Sequence, residues 1–213
     1  MPHLKRNSKL ERTAEGYYSP ELPYHNFGHI RAVLEAAEGI LDRCETAGVP
    51  ADFNVVYYAL LFHDAGYIDD HRAEGFESKE AYSAHIAERE LRAQGVKADV
   101  IEKVKRTILS TERDASFETN EEKIVRAADL SEIAADFETF RRNTENLKKE
   151  TEFLTGATIS WDDWLGSVQR TIEFYCSQRI HITSSRGKTE TSFHNQARKN
   201  LAQLKKQFGK KAA

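Results

Sequence analysis

The chain has 213 residues, 39% of them hydrophobic and 31% charged, with a net charge of −3 and only 11 Gly and 4 Pro. That length supports one well-buried core, and the composition favours a soluble all-α protein with wet outer faces over a loop-rich β fold. No stretch approaches the roughly 20 apolar residues of a membrane span, and the basic start Met1 to Lys9 lacks the apolar run of a secretory signal, so a cytoplasmic location is expected. Cys44 and Cys176 stand far apart and outside any metal-type spacing, and read as reduced core residues.

Phe27, Ile30, Leu34, Ala37, Leu41 and Cys44 recur at steps of three and four, which predicts an amphipathic helix over residues 26–46, closed by Gly48-Val49-Pro50. A second helix is expected over residues 51–66. Its inner side carries Phe53, Val56, Tyr57, Leu60 and Leu61, and His63 and Asp64 continue that face. Burying an imidazole and a carboxylate without a partner is costly, and a metal ion removes the cost because it binds the neutral ring and the ionised acid. Residues 67–76 read as a polar loop. Helices follow over residues 77–94, 98–110 and 121–137, and in the last of these Val125, Asp129, Ile133 and Asp136 share a face, an acid within an apolar stripe. Two more are predicted near residues 162–180, with Leu165, Val168, Ile172 and Cys176 inward, and 191–208, with Phe193, Ala197, Leu201, Leu204 and Phe208 inward. From Arg186 to Ala213 eight Lys/Arg face one Glu; this reads as a solvated helix face, and nucleic acid is not expected as a partner.

Three strings carry the chemistry: Tyr24-His25-Asn26-Phe27-Gly28-His29, Leu61-Phe62-His63-Asp64-Ala65-Gly66-Tyr67, and Arg126-Ala127-Ala128-Asp129-Leu130. In that order, His29, His63-Asp64 and Asp129 resemble the four ligands of the HD superfamily of metal-dependent phosphohydrolases. The stretch YHNFGHIRAV, residues 24–33, is similar to the YHNxxHxxxV signature of cyclic-nucleotide phosphodiesterases and to small HD proteins expected to be phosphohydrolases. Residues 77–84 resemble the NExxSA helix of those proteins, with Lys79 where Asn is usual.

Length implies a single domain over residues 1–213 with helical extensions; the resemblance implies an HD-type helical bundle holding metal within residues 20–140, which leaves a C-terminal helical extension over 141–213. Two imidazole nitrogens and two carboxylates suit a hard or borderline divalent ion such as Mn, Mg, Fe, Co or Zn. One or two ions per chain are implied, with Asp64 bridging to the second and holding the attacking water. Relatives with two ions usually offer further His after the third or fourth helix, and residues 107–114 contain none.

By the same resemblance His25 protonates the leaving oxygen; if the helix already includes it, His25 lies about 6 Å from His29 along the axis. The alternative is that His25 only begins the helix, and Asn26 is balanced between capping it and supporting the site. Glu80 is expected to orient the attacking water, and Lys79, Arg72 and Tyr24 to meet the substrate, the alternative for the charged ones being plain solvent exposure. Trp161, Trp164 and Phe174 read as core rather than as a base-stacking platform. The implied activity is hydrolysis of a phosphoester of a nucleotide or other small phosphorylated molecule, with a homodimer open as the assembly. Cyclic-nucleotide phosphodiesterase activity is the nearest alternative, although the chain is short for it and offers no glutamine placed to clamp a base. A di-iron oxygenase would need further His ligands, and a non-catalytic metal-binding module is the remaining rival.

Overall fold

A computed structural model describes residues 4–178, 180, 182 and 192–209. The first three residues of the basic start lie outside that range, as do residues 186–191 and 210–213 of the basic C-terminal segment. The fold is all-α, with no strand among the described residues. The chain forms two compact units, Met1–Asp129 and Leu130–Ala213.

The first unit contains α1 (Ser8–Glu15), α2 (Phe27–Thr46), α3 (Phe53–Phe62), α4 (Lys79–Ala93), α5 (Ala98–Leu109) and α6 (Asn120–Asp129). Its centre is α3, in which Val55, Val56, Tyr57, Ala59, Leu60, Leu61 and Phe62 are all buried. A helix that is apolar all round has to be covered all round, and α3 packs against each of the other five. It starts at Asp52, whose Oδ1 accepts the amides of Asn54 and Val55 at 3.1 and 3.3 Å. Regular α-structure stops at Phe62, short of the expected residue 66, with His63 at the C-cap. Gly66 turns the chain in the left-handed region at φ +74°, and its amide donates to Tyr17 O at 3.0 Å.

Two further caps fix where the helices of His29 and Asp129 begin. At α2 the Asn26 side chain accepts the Gly28 amide at 2.8 Å and donates to Leu22 O at 2.9 Å. Asn26 therefore caps the helix, and Gly28 stands where a Cβ would lie 2.8 Å from the capping oxygen. At α6 a capping box forms: the Glu122 amide donates to Thr119 Oγ1 at 3.3 Å and the Thr119 amide to Glu122 Oε2 at 3.0 Å. Arg126, fully buried on α6, donates to the carbonyls of Ser110 and Glu112 at the end of α5.

The second unit holds a 3-10 turn (Ser131–Ala134), α7 (Phe137–Thr155), α8 (Trp161–Ser177) and α9 (Ser192–Phe208). The single helix expected over residues 121–137 is thus broken after Asp129. Ala135 is extended, and the exposed Asp136, expected on the face of Val125 and Asp129, instead caps α7 by accepting the Thr139 amide at 3.0 Å. A second core joins Phe140, Leu165, Ile172, Ala197 and Leu204, with Trp161, Val168, Cys176, Leu201 and Phe208 packed around it. Trp161 stacks on Phe208 at 3.9 Å, and Trp164 Nε1 donates to Thr144 O at 3.2 Å. Buried Asn200, on the inner stripe of α9, donates to Ile133 O and Ala135 O at 3.1 and 2.9 Å and so holds the 3-10 turn.

A Cβ at Gly66 would come within 2.6 Å of the Tyr82 ring and 2.9 Å of Ile86 Cδ1. Strain at positive φ and overpacking then act together, so Gly66→Ala is expected to lose about 2–4 kcal/mol of stability in urea unfolding. A loss below about 0.5 kcal/mol, the range of inert surface changes, would refute this account of the turn.

Candidate metal centre

The first turn of α2, the end of α3 and the last residue of α6 bring four side chains to one point. His29 sits on α2 three residues past its Asn26 cap, His63 and Asp64 follow α3, and Asp129 closes α6. One ligand atom each from His29, His63 and Asp64 lies within 4.8 Å of the others. Asp129 Oδ1 stands 3.4 Å from Nε2 of both imidazoles. Asp64 Oδ2 is 3.1 Å from His63 Nε2 and 3.7 Å from His29 Nε2.

The orientation of His63 is set by the end of its own helix. A helix leaves its last carbonyls without partners. Here His63 Nδ1 donates to Leu60 O at 3.0 Å, and the buried Tyr18 hydroxyl donates to Leu61 O at 2.8 Å. Because Nδ1 carries that proton, Nε2 of the neutral ring is a lone pair. It is buried, finds no hydrogen bond of acceptable geometry, and faces two carboxylate oxygens. Acceptor against acceptor is relieved only by a cation or a proton placed between them.

The electrostatics show the proton's claim on this position. Burial would lower the pKa of His63, yet the carboxylates of Asp64 and Asp129 raise it well above the ordinary imidazole range. Burial alone would raise both acids; the imidazolium of His63 instead holds Asp64 down at about 2, and His29 and His63 together hold Asp129 well below the usual range. Two nitrogens and two carboxylates fit a hard or borderline divalent ion, and such an ion replaces the proton as the charge that makes the cluster tolerable.

Around the cluster lies a half-buried rim. His25 precedes the Asn26 cap and is therefore not in α2; the turn from Tyr24 to Asn26, closed by Asn26 N to Tyr24 O at 2.8 Å, brings its ring to 6.0 Å from that of His29. Tyr24 lies 4.7 Å from the His29 ring and edge-on to His25 at 4.9 Å. Tyr67 stacks on His25 with ring centres 3.8 Å apart and planes 11° from parallel, and Lys79 Nζ sits 3.4 Å from the centre of Tyr67. Glu80, in the first turn of α4, has its pKa raised by burial and further by Glu112 and Asp64. Arg72 is exposed in the loop, its amide held by Asp70 Oδ1 at 3.1 Å, and no contact of its guanidinium with the ligand cluster is found among the described residues.

Several contributors had no signal strong enough to single them out in the sequence. Gly66 lies two residues beyond His63-Asp64, where a left-handed helix stop is common, and that spacing could have marked it. Tyr18, Ser83, whose hydroxyl donates to Ala65 O at 2.8 Å, and Glu112, which accepts the Ser78 hydroxyl at 2.6 Å, act through long-range contacts without a local pattern.

The HD domain family model matches residues 26–133, half of the chain, and the chain belongs to that family. No curated protein matches it in sequence. Among solved structures, the phosphodiesterase domain of Salpingoeca rosetta rhodopsin phosphodiesterase is similar, with a TM-score of 0.64 over 93% of this chain and 79% of that chain. Sequence identity to it is 14%, so the likeness concerns the fold.

Metal must displace the proton of His63, whose pKa is raised, so affinity should strengthen with pH until that raised pKa is passed. Below it, affinity for Zn or Co should fall as the pH is lowered, with protons released as the ion binds. Calorimetry in two buffers of different ionisation enthalpy measures both. Affinity independent of pH with no proton release would place the ion elsewhere.

Proposed function

We propose that this HD-family protein is a metal-dependent phosphohydrolase that cleaves a phosphoester of a small phosphorylated molecule, a nucleotide first among them. The convergence of His29, His63, Asp64 and Asp129 carries this reading, because it gathers lone pairs and negative charge that only a cation satisfies. A divalent ion bound there supplies Lewis acidity toward a phosphoryl oxygen and lowers the pKa of a water molecule.

The side chains on the rim take the remaining steps. Glu80, near Asp64 and with a raised pKa, orients the attacking water and accepts its proton. His25, beside the cluster, donates a proton to the ester oxygen as its bond to phosphorus breaks, so the alcohol leaves neutral. Lys79, Tyr24 and Arg72 are the substrate-side groups; the half-buried Tyr24 and Lys79 are nearer to that role than the exposed Arg72. One or two ions per chain, Mn, Mg, Fe, Co or Zn, suit the donor set. Cyclic-nucleotide phosphodiesterase activity is a second reading, favoured by YHNFGHIRAV and by the name of the structural neighbour. A cytoplasmic site of action is part of the same proposal; no helix among the described residues is long and apolar enough to cross a membrane.

Purified protein given Mn, Mg, Co, Fe or Zn in turn should release phosphate from nucleotides or simple phosphomonoesters, or open cyclic nucleotides. His25→Ala should keep its metal and lower turnover of an alkyl ester by about 10²- to 10⁴-fold, while an aryl ester, whose phenolate leaves with little protonation, is impaired far less. Asp64→Ala should damage both. Equal losses on both esters in His25→Ala would remove the proton-donor role, and metal-loaded protein without turnover of any phosphoester would leave a metal-binding module.

A further inference from the structure

His25 lies outside α2, before the Asn26 cap, and the plane of a half-buried imidazole on a turn is set by the groups packed on it. Tyr67 supplies the flat contact. Its ring lies flat on His25 at 3.8 Å and 11°, while Tyr24 meets the His25 edge at 86°. Resting on the protein proton-donor role of His25 given above, we propose that Tyr67 is a positioning residue that sets the plane of the His25 imidazole, and that Lys79 clamps Tyr67 from behind.

The backbone makes Tyr67 suitable for this. It follows Gly66, whose left-handed turn is tied to Tyr17 O at 3.0 Å and wedged against Tyr82 and Ile86, so the Tyr67 Cα has a fixed place. Lys79 Nζ is 3.4 Å from the Tyr67 ring centre. Two groups 3.8 and 3.4 Å from one ring centre cannot share a face, so His25 and Lys79 sandwich the ring. Lys79 begins α4 directly after its Ser78 cap, which accepts the Ala81 amide at 3.1 Å, so the clamp is also anchored. A face-on stack restrains rotation of the imidazole but uses neither in-plane nitrogen, leaving the stack compatible with proton delivery.

The test uses the full chain loaded with Mg or Zn, both diamagnetic, and compares wild type with Tyr67→Leu, Tyr67→Met, Tyr67→Phe and His25→Ala on an alkyl and an aryl phosphoester. Tyr67→Leu should lower kcat on the alkyl ester roughly tenfold with little change in KM, and the aryl ester should change by less than about twofold. Tyr67→Phe should keep the wild-type rate and Tyr67→Met should show the selectivity of Tyr67→Leu, while Lys79→Met, at a residue also placed on the substrate side, is read by NMR alone. Independently of turnover, the His25 Cε1–H resonance, identified by its loss in His25→Ala, should carry the ring-current shift of an overlying aromatic ring. It should move in Tyr67→Leu and stay in Tyr67→Phe. A resonance that does not move, equal losses on both esters, or a change in KM alone overturns the positioning role, and Tyr67→Met decides the matter if Tyr67→Leu does not fold. Selective loss in His25→Ala with none in Tyr67→Leu overturns this proposal alone. A wild type that hydrolyses neither ester, or equal losses in His25→Ala, overturns the proton-donor reading and the clamp's catalytic purpose with it.

Discussion

Two carboxylates and two imidazoles set close together in a largely buried position cannot all be satisfied by one another. Nδ1 of His63 is committed to Leu60 O, so its remaining lone pair points at Asp64 and Asp129. A positive charge has to occupy that point in every folded state, as a proton on His63 or as a metal ion between the four groups. This requirement links folding, metal affinity and pH in one cluster. His63 stands at the end of its helix, where a side chain and an otherwise unpaired carbonyl meet.

The scaffold meets the requirement by putting its most apolar helix in the middle. α3 is covered by α1, α2, α4, α5 and α6, and the two helices that supply His29 and Asp129 also pack against each other. Displacing either ligand would therefore open apolar contacts as well as charge pairs, at about 25 cal/mol for each Å² of apolar surface exposed. The turn after α3 is equally constrained, because Gly66, Tyr17, Tyr82, Ile86 and Ser83 surround it. Rigidity at this turn serves both Asp64 and Tyr67, which lie on either side of Ala65-Gly66.

Much of this was readable from residue patterns because apolar periodicity and motif order report burial and chemistry directly. The stripe of α2 and the inner faces of α8 and α9 appear as expected, with Leu165, Ile172, Ala197 and Leu204 buried. Where the buried face is polar, periodicity is silent: α7 buries Phe140, Thr144 and Glu150 and was not separable from a solvated segment. The break after Asp129 leaves no mark on the pattern because the apolar spacing runs on to Ile133, while Asp136 prefers a cap to a helical interior. His25 shows the same limit on a finer scale. Its spacing from His29 suggests a shared helix, yet Asn26 starts the helix one residue later and a turn makes the approach instead. The four clustered side chains were legible as a set because order and residue type survive such local differences; the stack of Tyr67 on His25 depends on two segments meeting in space.

The capping box at Thr119 and Glu122 has a consequence for how this chain can vary in length. It nails the start of α6, and Asp129 lies at the far end of the same helix. Between them the helix acts as a ruler with an angular scale, advancing about 100° and 1.5 Å per residue. Losing or gaining one residue in that span would keep every hydrogen bond of the helix yet swing the carboxylate about a quarter-turn away from the imidazoles. The loop from Tyr67 to Ser78 carries no such phase on its outer side, where Asp69, Asp70, Arg72 and Glu74 are exposed. Insertions and deletions should therefore be distributed unevenly among natural variants of this chain, absent from α6 and tolerated at the tip of that loop.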